Sequence, residues 1–259
     1  MNKKQEETEE SSLSTLLTIS VISINQQRLE KFAERNNHIK IARQSLGDKE
    51  ENLSESEIDE IATAELANIA RKVKGSLGNA HSIMAALKKC ISENKHKLIL
   101  EDDTQLHPEI TQFIEKKWEH IKNLDILVLG GNTDSVITFE AMNGMPISGV
   151  FTRNEDRYPE YSKISKTFTM TPVMNTKTYK LHKIFGSHAW IVSPAGAKQL
   201  IKRCFPLDTN LIDIPLLPHK VLGISFDRRW NATLAEIEAE ICLPFLALTP
   251  NNAKSRSSE

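Results

Sequence analysis

The segment KLILEDDTQLHP, residues 97–108, places three consecutive carboxylates directly after an apolar run. The run KLIL has the length and composition of a buried strand. Alternate side chains of an extended backbone share a face, so Glu101 and Asp103 can point together into a cleft while Asp102 points elsewhere. Hard divalent cations favour carboxylate ligands and keep positions open for water and phosphate oxygens. The segment therefore predicts a metal site or, as the alternative, a plain strand end whose acidic residues cap a turn.

Strand patterns and helix patterns alternate on both sides of this acidic segment. Such alternation is typical of an α/β domain with a mainly parallel sheet, in which ligands bind beyond the carboxyl ends of the strands. We therefore expect the acidic segment at the ligand-binding edge of the sheet. The predicted elements are strand 15–24, helix 25–36, strand 38–46, helix 47–73, helix 75–94, strand 97–100, helix 108–123, strand 124–131, and a strand, turn and short helix within 186–205.

Length and composition predict one main domain. A chain of 259 residues with 39% hydrophobic content is long enough to bury a core. Residues 1–14 are polar and acidic and are predicted to be a disordered head, followed by a domain over 15–250 and a polar tail over 251–259. Residues 131–183 are rich in turn formers and without a clear period, which predicts a variable loop region.

Charge and targeting features exclude several classes of protein. The formal net charge of -1 gives no reason to expect nucleic acid as a partner. The head lacks the basic start and apolar centre of a signal peptide, and the apolar stretch 13–24 is well short of the roughly 20 residues of a membrane span. Three cysteines far apart in sequence suit a reducing compartment. We expect a cytoplasmic protein without a transmembrane segment.

Several segments occur in an order and spacing that resembles glycosyltransferase family 25, the lipooligosaccharide galactosyltransferase-like group. The resemblance extends from about residue 18 to residue 217, and a weaker similarity is present in CLPFLALTPNNAKSRSS. Its most specific pieces are LILEDD and GSHAWIVSPAGAKQL. The segments that carry it are VISINQQRLEKF, KGSLGNAHS, LILEDD, LDILVLGG, GSHAWIVSPAGAKQLI and PLDTNL.

The resemblance implies a GT-A-like single domain with Rossmann-like binding of a nucleotide sugar. It implies transfer of a hexose, often galactose, from a UDP-sugar to a carbohydrate or glycolipid acceptor such as lipooligosaccharide, with inversion. The resemblance also implies a Mn²⁺ or Mg²⁺ cofactor. A glycolipid acceptor would also leave peripheral association with the inner face of the membrane open.

The metal motif is the first group of site residues that the resemblance implies. Asp103 corresponds to the direct metal ligand, with Glu101 as a second ligand. Glu101 and Asp102 are expected to support the nucleotide contacts. The argument from alternating strand faces independently favours Asp103.

Donor-binding residues are expected after the first strand and in the glycine segment. Asn25 and Arg28 are placed to bind a base, a ribose or a phosphate, although Arg28 alone would suit a solvent-facing helix position. Gly75 and Gly78, with Ser82, would allow close backbone approach to an anion at a helix start, or else simple tight packing.

Acceptor binding and proton transfer are expected of residues in the later motifs. His188 and Trp190 in GSHAW are candidates for acceptor binding, although a buried structural histidine and a core aromatic are the alternatives. Asp208 in PLDTNL corresponds to the family's Pro-x-Asp and is the candidate general base, with Asp213 as a second candidate. The alternative for Asp208 is a helix cap.

Two departures from the family pattern motivate other functions. Ser82 is preceded by His81, whereas the family usually has Ser-His at this point, and the opening motif is usually richer in Asp and Arg. A degenerate nucleotide-sugar or carbohydrate-binding protein is therefore one alternative. A glycosidase that uses two of the carboxylates, without nucleotide or metal, is another.

Overall fold

The computed structural model describes residues 12–39, 50–70, 76–133, 135–151 and 161–249. Most of the predicted strand 38–46, most of the predicted head, the polar tail and Gly75 lie outside these residues.

The described residues form a large sheet and two small ones. The strands are β1 (Leu17–Ile22), β2 (His96–Glu101), β3 (Gln105–Leu106), β4 (Ile126–Val128), β5 (Gly130–Asn132), β6 (Val136–Met142), β7 (Met145–Val150), β8 (Lys177–Ile184), β9 (Ala189–Val192), β10 (Leu211–Ile212), β11 (Val221–Leu222), β12 (Ala239–Leu243) and β13 (Ala247–Thr249). The large sheet has the order β1-β2-β9-β4-β12-β8-β6-β7. The small sheets are β10-β11 and β3-β13-β5.

The large sheet is mixed, so the prediction of a mainly parallel sheet is wrong. β1 is parallel to β2, and β4 is parallel to β12. β9 lies between β2 and β4 and runs antiparallel to both. β8, β6 and β7 continue the sheet beyond β12 with antiparallel pairings. The prediction of a single α/β domain is confirmed, because one continuous sheet joins all these strands.

The helices of the described residues cover both faces of the large sheet. They are α1 (Ser12–Leu16), α2 (Gln26–Arg35), α3 (Glu55–Ile61), α4 (Ala64–Ala70), α5 (Ser76–Glu93), α6 (Ile110–Ile121), α7 (Tyr161–Met170), α8 (Pro194–Cys204) and α9 (Phe226–Arg229). Short 3₁₀ turns lie at Glu50–Asn52, Val173–Asn175, Trp230–Ala232 and Leu234–Glu236. The helices predicted at 25–36, 75–94 and 108–123 are confirmed as α2, α5 and α6.

Local capping explains where the best-predicted helices begin. Asn25 accepts a hydrogen bond from the backbone N–H of Arg28 and begins α2. Ser193 accepts one from Gly196 and begins α8, whose first residue is Pro194. The predicted helix 47–73 is broken into α3 and α4, because Ala62 is extended and bridges to Leu207.

Two apolar clusters hold the helices to the sheet. On one face, the buried side chains of α1, α2 and α6 pack on β1, β2 and β4. On the other, α5, α8 and α9 pack around Trp190 and Trp230. A third cluster joins α3 and α4 to the start of α5. The result is a three-layer arrangement with helices on both faces of the large sheet.

The prediction of a loop region at 131–183 is wrong. Described residues of this region form the hairpin of β6 and β7, helix α7 and strand β8. The hairpin turns at Asn143 and Gly144, where Gly144 has a φ of 75° that favours glycine. An Asn-Gly pair between two alternating runs is a strong hairpin signal, and it was present in the sequence.

Gly196 marks a close approach between α8 and the sheet, and it yields a test of the fold. A Cβ at this position would lie 2.2 Å from the carbonyl oxygen of Asp125. We expect Gly196→Ala to lower the free energy of unfolding by about 2 kcal/mol or more, because backbone must move to admit the methyl group. Gly149→Ala is the control, since a Cβ there meets nothing within 4 Å. Urea denaturation measures both, and equal stability of the two variants would contradict the packing described.

Candidate active site

The acidic segment lies at the edge of the sheet where β1 and β2 end. Ile22 pairs with Glu101 in the parallel register, so Ser23 and Asp102 follow at the same level. The hydroxyl of Ser23 donates to Oδ2 of Asp102 at 2.6 Å. The start of β9 meets this edge as well, since Leu100 pairs with Ala189. The acidic segment therefore lies at the carboxyl ends of two parallel strands, where the strand pattern placed it.

Asp102 forms a buried ion pair with Arg28. Its side chain is only 5% exposed, and Oδ1 accepts a hydrogen bond from Nη2 of Arg28 at 2.5 Å. Burial opposes the charge on Arg28, but the hydrogen bond and the negative charge of Asp102 outweigh it and raise the pKa of Arg28. Asp102 thus joins the turn that follows β2 to helix α2.

The backbone of the acidic turn is held on two sides. From α2 and its end, Nη1 of Arg35 donates to the carbonyl of Thr104 at 3.3 Å, and Nδ2 of Asn36 donates to the same carbonyl at 3.0 Å. From the start of β9, the carbonyl of His188 accepts from the N–H of Glu101 at 2.8 Å and from the hydroxyl of Thr104 at 3.0 Å. The acidic side chains therefore project from a fixed turn.

Glu101 lies close to three other acidic side chains. Removal from water raises its pKa to about 8, and the carboxylates of Asp103, Asp227 and Asp102 add to this effect, while Arg28 opposes it. The side chain is half-buried. With its pKa raised this far, the carboxyl group of Glu101 is mostly protonated at pH 7 unless a cation lies beside it.

Asp103 fits a ligand for a hard cation. Its Oδ1 is buried and has no hydrogen-bond partner among the described residues. An unpaired buried carboxylate oxygen is costly, and a cation would satisfy it. In the described ranges, no three His, Cys, Asp or Glu side chains are grouped so as to hold a metal ion. A cation here would therefore take Asp103, with Glu101 beside it, and complete its shell with substrate oxygens and water, as Mg²⁺ commonly does.

Asp227 is an acidic residue of this edge that the sequence analysis missed. It lies in the four-residue helix α9, accepts a hydrogen bond from Ser225 and adds to the negative field at Glu101. The Ser-x-Asp pattern at 225–227 indicates a helix start, which could have been recognised. Nothing in that local pattern indicates which edge of the sheet the helix approaches.

Asp208 is linked to the same helix. Nη2 of Arg229, the last residue of α9, lies 3.2 Å from Oδ2 of Asp208. Asn210 donates to both carboxylate oxygens, from its backbone N–H at 3.0 Å and from its side chain at 2.6 Å. The helix-cap alternative is wrong, because the short strand β10 follows. Through Arg229 and Asp227, α9 connects the segment of Asp208 with the acidic edge.

Trp190 is a core residue, contrary to the expectation that it stacks on an acceptor sugar. It is fully buried, its indole N–H donates to the carbonyl of Ser187 at 2.8 Å, and its ring stacks on Phe226 with centroids 5.8 Å apart. Because the ring is fully buried, neither of its faces is open to a ligand. The core alternative for Trp190 is the one that the structure supports.

His188 is buried beneath the acidic turn. Burial lowers its pKa to about 3, partly offset by the nearby carbonyl of Ala247, so the ring is neutral at pH 7. Neither ring nitrogen makes a hydrogen bond of good geometry with a described residue. The contribution of His188 that the structure shows is its backbone carbonyl, which holds Glu101 and Thr104.

The side chains of two expected donor-binding residues make hydrogen bonds within their own helices. Ser82 is fully buried and donates to the carbonyl of Gly78 at 2.8 Å, inside α5. Its hydroxyl is therefore not available to a nucleotide, which corrects that expectation. Asn25 uses its side-chain oxygen to cap α2, which leaves only its amide N–H groups for a ligand.

Comparison with known proteins gives the class of the chain. It is a glycosyltransferase: the model described as "Glycosyltransferase family 25 (LPS biosynthesis protein)" matches residues 17–213. The chain belongs to glycosyltransferase family 25, which confirms the resemblance seen in the sequence. The comparison with curated proteins gave no match.

Among solved structures, the crystal structure of A197 from STIV aligns over 87% of this chain and 81% of that chain. The identity is 10% and the TM-score is 0.36. A likeness this distant carries no argument about the site.

The ion pair of Arg28 with Asp102 can be tested through stability. We expect Asp102→Asn to lower the free energy of unfolding by about 2–3 kcal/mol, because it leaves the partly buried charge of Arg28 without its partner. Asp59→Asn on the exposed surface of α3 is the control and should change stability by less than about 0.5 kcal/mol. Urea denaturation at pH 7 measures both. An Asp102→Asn protein as stable as the control would show that the pair does not hold the site.

Proposed function

We propose that the chain transfers a hexose from a UDP-sugar to a carbohydrate or glycolipid acceptor, with help from Mn²⁺ or Mg²⁺. From its membership of family 25, we also propose galactose as the sugar, inversion at the anomeric carbon and a GT-A-like fold. We further propose that it works in the cytoplasm, at the inner face of the membrane where a lipid-linked acceptor would be found.

One observation carries the proposal: Asp103 presents a buried oxygen that has no hydrogen-bond partner in the described part of the chain, on a turn that an arginine adjoins. Sugar transfer from a nucleotide donor creates negative charge on the departing diphosphate. A site for this reaction needs positive charge close to the diphosphate and a way to place it. The turn offers oxygens to a cation, and Arg28 lies next to them.

The residues of the chain would divide the work as follows. Asp103 and Glu101 would hold the cation, which when bound supplies positive charge opposite the diphosphate. Arg28, whose guanidinium is held by Asp102, would place its positive charge beside the phosphate oxygens in a fixed direction. The fixed turn would keep these groups in place without reorganisation during the reaction.

Asp208 is the proposed general base. It would take the proton of the acceptor hydroxyl as that oxygen attacks the anomeric carbon. Asn210 and Arg229 contact Oδ2, and the backbone N–H of Asn210 donates to Oδ1. Since a carboxylate oxygen can accept two hydrogen bonds, Oδ1 could also accept one from an acceptor hydroxyl.

The hydrogen bonds and the ion pair that Asp208 makes within the chain favour a second candidate function. A protein that binds the nucleotide sugar without transferring it would keep Arg28 and Asp103 and would need no free base. The two candidates differ in turnover and agree in donor binding.

Replacement of Asp103 tests the cation site. We expect Asp103→Ala to lower kcat/KM for Mn²⁺-dependent UDP release by about a hundredfold or more, because the leaving diphosphate loses its counter-charge. Calorimetric titration with Mn²⁺ should show weaker binding in the same variant. Asp59→Ala is the matched control for loss of a carboxylate and should behave like the wild type. Full activity of Asp103→Ala would remove this residue from the cation site.

Replacement of Asp208 separates transfer from binding. We expect Asp208→Asn to lower kcat by about a hundredfold or more with unchanged affinity for the donor, because it removes a proton acceptor and keeps the shape of the side chain. Asp227→Asn in parallel shows whether the acidic residue of α9 takes that role instead. If the wild type binds UDP-sugar and releases no UDP with any acceptor in a panel, the binding protein is the better description.

A further inference from the structure

A two-stranded ribbon next to Asp208 exposes leucines on one face. β10 and β11 pair antiparallel, and Leu211 lies directly opposite Leu222. Both leucines are exposed, Leu211 by 62%. Between them in the chain, Ile212 and Ile214 are buried and fix the opposite face of the ribbon to the body of the protein. The ribbon therefore has one face for the core and one apolar face directed outwards.

The loop between β10 and β11 carries two more exposed leucines. Leu216 is 60% exposed and Leu217 is exposed beside it, between Pro215 and Pro218. Leu216 has a φ of 66°, a left-handed conformation that a bulky side chain rarely adopts and that costs about 1–2 kcal/mol. That conformation does not bury the leucine. Exposed apolar side chains in such a group typically mark a surface that another body covers.

Charges around the leucines are positive on balance. The acidic side chain of Asp213 lies 3.9 Å from Nζ of Lys183, which also donates to its carbonyl oxygen. Lys220 is exposed at the tip, and Arg228 donates to the carbonyl of Leu222. Within the described ranges neither Lys220 nor Arg228 takes part in an ion pair. Leucines flanked by unpaired cations are the composition of a surface that binds anionic lipid.

The ribbon is held in a fixed direction relative to the candidate active site. Asp208 lies three positions before β10 and pairs with Arg229. The N–H of Gly223, just after β11, donates to the carbonyl of Asn210 at 2.9 Å and closes the base of the ribbon. Whatever covers the leucines is thus brought near Asp208.

We propose that the leucine ribbon, defined as Leu211, Leu216, Leu217 and Leu222, docks the protein on a bilayer that contains anionic lipid. The leucines enter the boundary between headgroups and acyl chains, and the cations meet the lipid phosphates. In the described part of the chain, none of the helices has the length and apolar composition to cross a membrane. Delivery of Asp208 to a lipid-borne acceptor rests on the proposed function, whereas membrane binding itself does not.

Vesicle binding without donor or acceptor tests the proposal independently of turnover. We expect the full chain to sediment with phosphatidylcholine vesicles that contain phosphatidylglycerol and no glycolipid. The double variant Leu216→Ser, Leu217→Ser should bind them about tenfold or more weakly, because it loses apolar surface that the wild type would bury in the membrane. The matched control is Met142→Ser, Met145→Ser, an exposed apolar pair in register at the β6–β7 turn, which should bind like the wild type. Circular dichroism checks that each variant is folded.

The charge contribution has its own variant. Lys220→Ala should weaken binding to the anionic vesicles about fivefold and leave binding to pure phosphatidylcholine unchanged. Because the side chain is exposed at the ribbon tip, this change leaves the core contacts intact.

Three outcomes would overturn the proposal. One is equal vesicle binding by the wild type and the double leucine variant. Another is equal loss of binding in the methionine control. The third is sedimentation velocity that shows a wild-type dimer and a monomeric leucine variant, with no vesicle binding by either, because the leucines would then meet a second copy of the chain.

Discussion

The pairing of Asp102 with Arg28 and Ser23 is the contact on which the candidate site depends. A carboxylate removed from water is tolerated only when its oxygens are hydrogen-bonded or ion-paired. In Asp102, one oxygen accepts a hydrogen bond from Ser23 and the other forms an ion pair with Arg28. These two contacts join the end of the first strand, the first long helix and the acidic turn, and they engage both oxygens of Asp102. Glu101 and Asp103 are the neighbouring carboxylates that remain for a ligand.

The elements that could be predicted are those encoded locally. Strand β2 and helices α2, α5, α6 and α8 follow from apolar spacing and caps such as Asn25 and Ser193, which act within one turn of the chain. Strand direction is different, since nothing in the sequence around 189–192 shows that β9 inserts between two parallel strands. The hairpin at 136–150 was predictable from its Asn-Gly turn, and composition misled because β7 is largely exposed and therefore lacks an apolar face.

The candidate site divides in the same way. The acidic segment and Arg28 follow their strands directly, so the sequence places them at one edge. Asp227 reaches that edge from far along the chain, and only the fold brings it beside Glu101. Ser82 and Trp190 occupy motif positions whose burial depends on tertiary packing, which no spacing of residues reveals.

The position of β12 has a consequence for how the chain is made. β12 lies between β4 and β8 and is the only strand that joins the two parts of the large sheet in the described residues. β12 is synthesised after both parts, at residues 239–243. Until then, the edges of β4 and β8 that β12 will pair with stay open. Unpaired edges invite pairing with other chains, so a nascent chain stalled before residue 239 is the form of this protein most in need of a chaperone.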